Sequence, residues 1–438
     1  MSQQRMHHGG SRDRREPGDA VPERRDSRLA GVTAVVTEDV AENDFATSAG
    51  AAATPDRDIV LICPCLGTAS EAWIHRQAVG LSDTLRVFTR RRENVARYPF
   101  DDGRVVVMPG RPSIGPVRRR WRAAKRRTGW FNEDPSHPRE LNALDRLLDR
   151  LDDPVILAHY GSTALQFVDH ADRLGVPLFA HFNGFDISRQ LRRRWYVNRL
   201  RLAIPKFTGM VVVAEYMRRR LIDLGADPGR IAVIPYGAPV VGRPDRATDS
   251  AGCRFLTVGR MVAKKRPDLT VRAFLHCRRR HPDVQLTIIG DGPYAGRCRK
   301  MIAREAAESS VRWMGWQSNA TVRDEMLRHD VYIQHSVTSP DGDMEGWPVS
   351  IAEAAGAGLP VIATRHAGIV DQVVSGENGF LVDPLDWWSM ADRMIDMVGD
   401  PIMRSAMGRA SQRRMMRTGV DDQIGELRRF LLGGRPSA

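Results

Sequence analysis

Two glutamates eight positions apart, Glu345 and Glu353, lie in residues 335–364, which read HSVTSPDGDMEGWPVSIAEAAGAGLPVIAT. Gly346 opens the backbone after the first, and Pro348 suits a first helical position because its missing N–H would go unpaired there anyway. The pattern predicts a helix from near Pro348 that carries Glu353 and stops at Gly356 and Gly358, followed by a buried strand over 359–363. Glu345 then lies in a loop facing a helix N-terminus. Free N–H groups and the dipole at such an end favour a phosphate, whereas a carboxylate accepts only from hydroxyls or other donors. The combination suits a ligand carrying both phosphate and sugar. Taken alone, Glu345 reads equally as an N-terminal helix charge and Glu353 as a solvated helix residue. The small apolar neighbours Ala352 and Ala354 favour an enclosed Glu353, whose carboxylate is costly unless paired.

Further candidates lie at the predicted ends of strands. Arg260 and Lys265, five apart and just beyond a strand over 254–258 and Gly259, can converge on a diphosphate; singly they read as solvated surface charges. Gly290 and Gly292 make a GxG turn directly after a strand over 284–289. Position 295, where the third glycine of a dinucleotide fingerprint belongs, is Ala295, so no nicotinamide enzyme is expected. Trp313 reads better as core than as a base-stacking ring. His159 and His181 end strands over 155–158 and 177–182, where a doubly wound sheet opens its crevice, and Asn183 and Asp186 follow. The bland reading of each histidine is a hydrogen-bonded structural residue. Asp341 and Asp343 form a DxD pair. With Arg260, Lys265 and a helix start supplying positive potential, and with Pro340 and Gly342 alongside, they read as turn acids, and no metal is expected.

The elements that must position these groups alternate strand and helix from residue 58 onward, which predicts an α/β fold of two Rossmann-like, doubly wound parallel sheets facing a cleft. At 438 residues the chain exceeds one ordinary core, and its 42% hydrophobic content suffices for two. The expected divisions are a disordered basic and polar tail over 1–56, a first domain over 57–241, a linker over 242–251, a second domain over 252–400, and C-terminal helices over 401–438. Ser70 is expected to cap a helix over 70–81, an amphipathic helix is expected over 141–151, and two or more helices from residue 386 on, the last over 423–432. The five cysteines are scattered, and the one-residue spacing of Cys63 and Cys65 is poor for a metal, so reduced, buried thiols are expected. There is no run of 18 uncharged apolar residues and no secretory signal pattern, so a cytoplasmic protein without a membrane span is expected.

Residues 345–353, EGWPVSIAE, resemble the E-x7-E signature of family 4 (group 1) glycosyltransferases, retaining enzymes of the GT-B fold, and the lead-in SVTSPDGDMEG is similar to exopolysaccharide, colanic-acid-type members. The resemblance spans roughly residues 58–400. SEAWIHRQAVGL is similar to the family's opening SETFI segment, and His159-Tyr160-Gly161 to its HFG. Gly259, Arg260 and Lys265 match its GR-x4-K, and the turn at Gly290 and Gly292 matches its GxGP. Residues 181–188, HFNGFDIS, resemble HFHGFDIS except that Asn183 stands where the site histidine belongs; Asn can hydrogen-bond a sugar hydroxyl but cannot carry a proton. Asp371 stands where Glu is usual. The resemblance implies Glu345 on the donor hexose, Glu353 on the ribose, and Arg260 and Lys265 on the diphosphate. It further implies Gly259, Gly290, Gly292, Trp313, Gly346 and Trp347 around the donor, and His159, His181, Asn183 and Asp186 on the acceptor side. It also implies an acceptor domain over 57–241, a donor domain over 252–400 and C-terminal helices over 401–438 that cross back, with a nucleotide diphosphate sugar as donor, a polyprenyl-linked or glycan acceptor, no cofactor, and no general base if the leaving phosphate takes the acceptor proton.

Net charge is +13, which permits a nucleic-acid partner or an anionic surface. No RNA-binding signature, zinc spacing or helix-turn-helix pattern supports the first, and a GT-B-type epimerase or phosphorylase is the nearer alternative. Residues 111–127 hold eight basic side chains and 189–206 seven, with no acid in either. In the second, Leu191, Trp195 and Leu202 are expected to form one apolar helical face beside Arg192, Arg193, Arg194, Arg199 and Arg201. That predicts peripheral docking of the first domain on the inner face of the plasma membrane.

Overall fold

Two stretches of uniformly apolar strand sequence, IVLIC and VILAH, are buried along their whole length, as strands covered on both faces must be. They are β1 (Ile59–Cys63) and β4 (Val155–His159), the central pair of a seven-stranded parallel sheet. Its other strands are β2 (Arg86–Thr89), β3 (Val105–Val107), β5 (Leu178–His181), β6 (Gly209–Val212) and β7 (Ile231–Val233), in the order β3-β2-β1-β4-β5-β6-β7. A second parallel sheet has the order β10-β9-β8-β11-β12-β13. Its strands are β8 (Arg254–Val258), β9 (Gln285–Ile289), β10 (Val311–Gly315), β11 (Val331–Gln334), β12 (Val361–Thr364) and β13 (Gly379–Val382). The strand order reverses between β1 and β4 and again between β8 and β11. Each reversal opens a crevice at the carboxyl ends, where ligands of doubly wound sheets bind.

The computed structural model describes residues 57–68, 71–110, 136–241 and 252–433. The expected tail, the basic segment 111–127, the linker and Ser70 all fall outside them, in whole or in large part. The helix after β1 runs Ala72–Gly80 with Glu71 at its N-cap and no side-chain cap bond. Helix Pro138–Leu148 starts three residues before the expected point because His137 caps it, Pro138 takes the first turn, and the Glu140 carboxylate accepts from the His137 N–H at 2.9 Å.

The first sheet and its helices enclose one core. The second sheet has a core on each face: Phe274, Cys298 and Met390 lie on one side, Ile351, Ala354 and Met326 on the other. Helix Val420–Leu431 lays Leu427, Phe430 and Leu431 into the first domain's core, with the Phe430 ring 5.4 Å from Phe179. All five cysteines are free and buried, and no helix among the described residues is long and apolar enough to cross a membrane.

Candidate active site

In the second domain the loops after β8 and β9 meet backbone to backbone. Gly290 has φ +130° and a Cβ there would collide with the Gly259 carbonyl, so this crossing admits only glycine. The tight turn leads into a 3-10 turn, Ala263–Lys265, which aims both lysines inward. Lys265 Nζ lies 3.2 Å from Glu345 Oε1, and Lys264 Nζ lies 3.1 Å from Asp343 Oδ2 while donating to the Met344 carbonyl at 3.3 Å. Glu345 is 5% exposed. Burial alone pushes its carboxyl up, but Lys265 and then Lys264 outweigh that and hold it at about 2. It is therefore an ionised acceptor at neutral pH and not a proton donor. Burial pulls the Lys265 ammonium down, opposed by Glu345. Arg260 is exposed at the rim, its charge close enough to depress Lys265 further.

Helix Val349–Gly356 follows, starting one residue later than the sequence suggested, with Pro348 as its N-cap (φ −63°, ψ 103°) and no side chain capping it. Glu353, on its second turn, is half-buried. Burial raises its carboxyl while Arg76, from helix Ala72–Gly80 of the other domain, and Arg323 pull it back. Arg76 is thus set against Glu353 across the cleft.

The first domain grips the loop that carries Glu345. Tyr216 Oη donates to the Glu345 carbonyl at 2.8 Å, Ser188 Oγ accepts from the Met344 N–H at 3.2 Å, and the Glu215 N–H donates to Asp371 Oδ2 at 2.8 Å. A Cβ on Gly184 would stand 2.5 Å from the Gly346 nitrogen, so the two domains touch there through bare backbone. Trp347 departs from its expected place at the donor. Its ring is buried in the first domain's core, and its indole N–H donates to the Tyr236 carbonyl at 3.0 Å, so it pins the domains together. Trp313 packs beside the second domain's core under the Arg299 guanidinium, 4.8 Å from the ring centre.

At the carboxyl end of the first sheet β4 and β5 pair His159 directly with His181. Both are fully buried, their ring centres 4.9 Å apart, and no ring nitrogen of either has a hydrogen-bond partner among the described residues. Trp73 packs edge-on against both, at 4.8 and 5.5 Å, and lies 4.5 Å from the Tyr236 ring. Burial pushes both histidines down, His181 to about 3, so the pair is neutral. Tyr236 Oη donates to Asn183 Oδ1, and Asp186 accepts from the Asn183 N–H at 3.0 Å, which fixes the amide at the strand end.

The DxD acids do not converge. Asp341 is bound by Arg189 at 3.1 Å and Asp343 by Lys264, and among the described residues no set of three His, Cys, Asp or Glu side chains could hold a metal ion. Nor does segment 189–206 present the expected apolar face. Helix Arg194–Ala203 buries Tyr196, Leu200 and Ala203, while Leu191 belongs to the preceding turn Gln190–Arg192 and Leu202 is 69% exposed. Arg192 donates to the Pro340 carbonyl at 2.6 Å, and Arg199 and Lys206 both bind Asp169. Lys264, Arg76, Trp73 and Tyr216 were missed in the sequence. Only Lys264, adjoining Lys265, carried a signal there.

Residues 83–240 match the model for glycosyltransferase family 4, and residues 245–414 the model for glycosyl transferases group 1. A protein of Salmonella typhimurium named for colanic acid biosynthesis, the glycosyltransferase WcaL, is 27% identical over 59% of this chain and 65% of its own. The amylovoran biosynthesis glycosyltransferase AmsK of Erwinia amylovora is 26% identical over 48% of this chain and 52% of its own. The chain thus spans less than two thirds of the length of either relative. In fold, the crystal structure of Anabaena Alr3699/HepE in complex with UDP and glucose superposes with a TM-score of 0.66 at 17% identity, covering 85% of this chain and 98% of that one.

Proposed function

We propose, on the premise that this chain belongs to the family 4, group 1 glycosyltransferases of the GT-B fold and exopolysaccharide type, that it transfers a hexose, with retention of anomeric configuration, from a nucleotide diphosphate sugar to a lipid-linked or glycan acceptor. The observation that carries the reading is the buried Glu345–Lys265 pair at the carboxyl end of the second sheet. A diphosphate reaching Lys265 competes with Glu345 for the ammonium, and Arg260 adds a second cation at the rim. Charge growing on the leaving oxygen then meets cations already in place. The freed carboxylate accepts from a sugar hydroxyl and faces the positive charge developing at the anomeric carbon. Glu353, held near Arg76, accepts from the ribose. Across the cleft, Asn183 offers a buried amide N–H with no other partner to the incoming acceptor. No side chain is assigned as general base: the histidines are buried and neutral, and the leaving phosphate takes the acceptor proton. The reaction is proposed to need no metal.

Arg193, Arg194 and Arg201 are exposed without an ion-pair partner among the described residues, and with Leu202 they are what remains of the segment for an anionic membrane surface at the inner face of the plasma membrane. The test of function is incubation of the protein with a panel of nucleotide diphosphate sugars and a lipid-linked acceptor extract. Products are read by mass spectrometry and the new anomeric centre by NMR. A glycosylated acceptor with the donor's configuration is expected. An epimerised sugar, a free sugar phosphate or an inverted linkage would overturn the reading.

A further inference from the structure

On the face of the second sheet opposite the helix of Glu353, helices Pro267–Arg280, Ala295–Arg304 and Trp387–Gly399 enclose a hollow of about 310 Å³. Its floor is Trp387, 9% exposed, stacked at 3.9 Å on Trp388, which is 54% exposed. The Arg272 guanidinium covers the Trp387 ring at 4.1 Å, and His276 meets Trp388 edge-on at 4.8 Å with its Nδ1 buried and unpartnered. Trp388 thus packs on Trp387 and His276 and still leaves more than half of its surface exposed toward the hollow. A second hollow of about 410 Å³ shares Met301 and Arg304 and adds Arg297 and Lys300, so the groove continues over helix Ala295–Arg304. Arg272, Lys300 and Arg304 have no carboxylate partner among the described residues, and the one acid of the lining, Glu305, is held by Arg279 at 2.6 Å.

We propose that this groove is a second carbohydrate site, which holds an acidic oligosaccharide away from the reacting centre. An indole face packs against the C–H face of a pyranose ring. Unpaired guanidiniums at the same level bind ring carboxylates with paired N–H groups. The size fits: the first hollow matches the small end of ligand sites, and its extension calls for a chain rather than a single sugar. The shape and lining speak against other polyanions. A lipid surface is met by protruding apolar side chains, whereas Trp387 lies at the bottom of a hollow. A single-stranded nucleic acid uses an open ring for successive bases, and the described lining offers only Trp388. The proposal does not rest on the transfer reaction.

Isothermal titration with hexagalacturonate at low salt, against maltohexaose as the neutral control, tests it. Binding of the acidic hexamer is expected to exceed that of maltohexaose by at least tenfold and to weaken with salt. Trp388→Ala and Arg304→Gln, both exposed positions that leave the melting temperature unchanged, should each lower affinity at least tenfold, and Arg201→Gln in the other domain should not. Transfer to a short acceptor should survive in Trp388→Ala, which separates this site from the catalytic one. Equal binding of the two hexamers, or unchanged affinity in both groove variants, would overturn the proposal. So would a groove that binds oligo(dT) or anionic vesicles in preference to hexagalacturonate and loses that binding in the same variants.

Discussion

At the carboxyl end of the first sheet, His159 and His181 lie side by side, fully buried and neutral, under Trp73 and Tyr236. At the same end of the second sheet Lys264, Lys265, Asp343 and Glu345 meet as ion pairs at 3.1–3.2 Å. The strand-order reversal that creates each crevice is the same, but the electrostatics are opposite. One end is organised by removing charge, the other by balancing it. The difference suits a division of labour: a diphosphate needs fixed cations, while an uncharged hydroxyl needs only a shaped, weakly polar wall and an amide such as Asn183. It also makes the two ends differ in how they fail.

The charged end should fail hardest. Lys265→Ala removes the cation nearest the leaving phosphate and leaves the Glu345 carboxylate buried beside Lys264 alone. Transfer is expected to fall on the order of a hundredfold, against about tenfold for Arg260→Ala at the rim. Steady-state kinetics on protein with wild-type circular dichroism reads both; if neither variant slows transfer, the charged end is not where the diphosphate binds.

The seam between the ends is the next point of attack. Gly184→Ala places a methyl 2.5 Å from the Gly346 nitrogen, so the loop of Glu345 must move relative to the first sheet. A displacement of this kind costs on the order of tenfold to a hundredfold in kcat. Donor affinity, for which Lys265, Arg260 and Glu353 are proposed to do most, should change less than kcat. Loss of donor affinity equal to the loss of kcat would show that the glycine contact shapes the donor site itself.

The neutral end should show itself in stability. A histidine at about 3 in the folded protein and near 6.5 in the unfolded chain lets the unfolded state bind the extra proton between those values. Stability is then complete above pH 6.5 and falls as pH drops, by about 1.4 kcal/mol per pH unit for each histidine. Urea unfolding from pH 7 to 5 should show a fall to which both histidines contribute, together with His329, His335 and His366, whose protonation burial also disfavours, and His181→Leu should remove one histidine's share of it. Glu345, held near 2 against 4.5, adds its own loss only below about pH 4.5. A flat wild-type profile between pH 6.5 and 5 would mean that water or protons reach the pair.

Much of the charged end was legible, because its groups fall at fixed offsets from strand and helix ends. Strand Arg254–Val258 carries the expected bounds, and Lys265 and Glu345 both lie at the carboxyl end of that sheet, but their ion pair was not foreseen, because the two residues are 80 positions apart. What the sequence hid lies across the cleft or off the helical phase. Trp347 adjoins Glu345 in sequence yet points into the other domain, a direction set by the backbone after Gly346. Leu191 seemed in phase with Trp195 and Leu202, but a 3-10 turn precedes the helix, and three residues per turn breaks the 3.6 period. Arg189 and Arg192 read as surface charge because their partners, Asp341 and the Pro340 carbonyl, are about 150 residues away. Trp73 and Arg76 could not be seen as site residues without knowing that the first helix faces the cleft.

The smallest effect is expected from the acids that look most like metal ligands. Asp341 and Asp343 sit at the mouth of the charged end, and a divalent cation bridging them to a diphosphate would bring both carboxylates to one point. Instead Arg189 of the first domain holds Asp341, and Lys264 of the second holds Asp343. Asp341→Ala frees a surface arginine, a pair worth about 1 kcal/mol or less. Asp343→Ala leaves Lys264 its bond to the Met344 carbonyl and adds an uncompensated cation beside the phosphates. The double variant should therefore keep transfer within about tenfold of wild type, and excess chelator should leave wild-type transfer unchanged. Abolition by chelator with recovery on adding manganese or magnesium would assign the acids to a metal. The charged end would then work by three-way balance among cation, carboxylates and lysines, and not by its lysines alone.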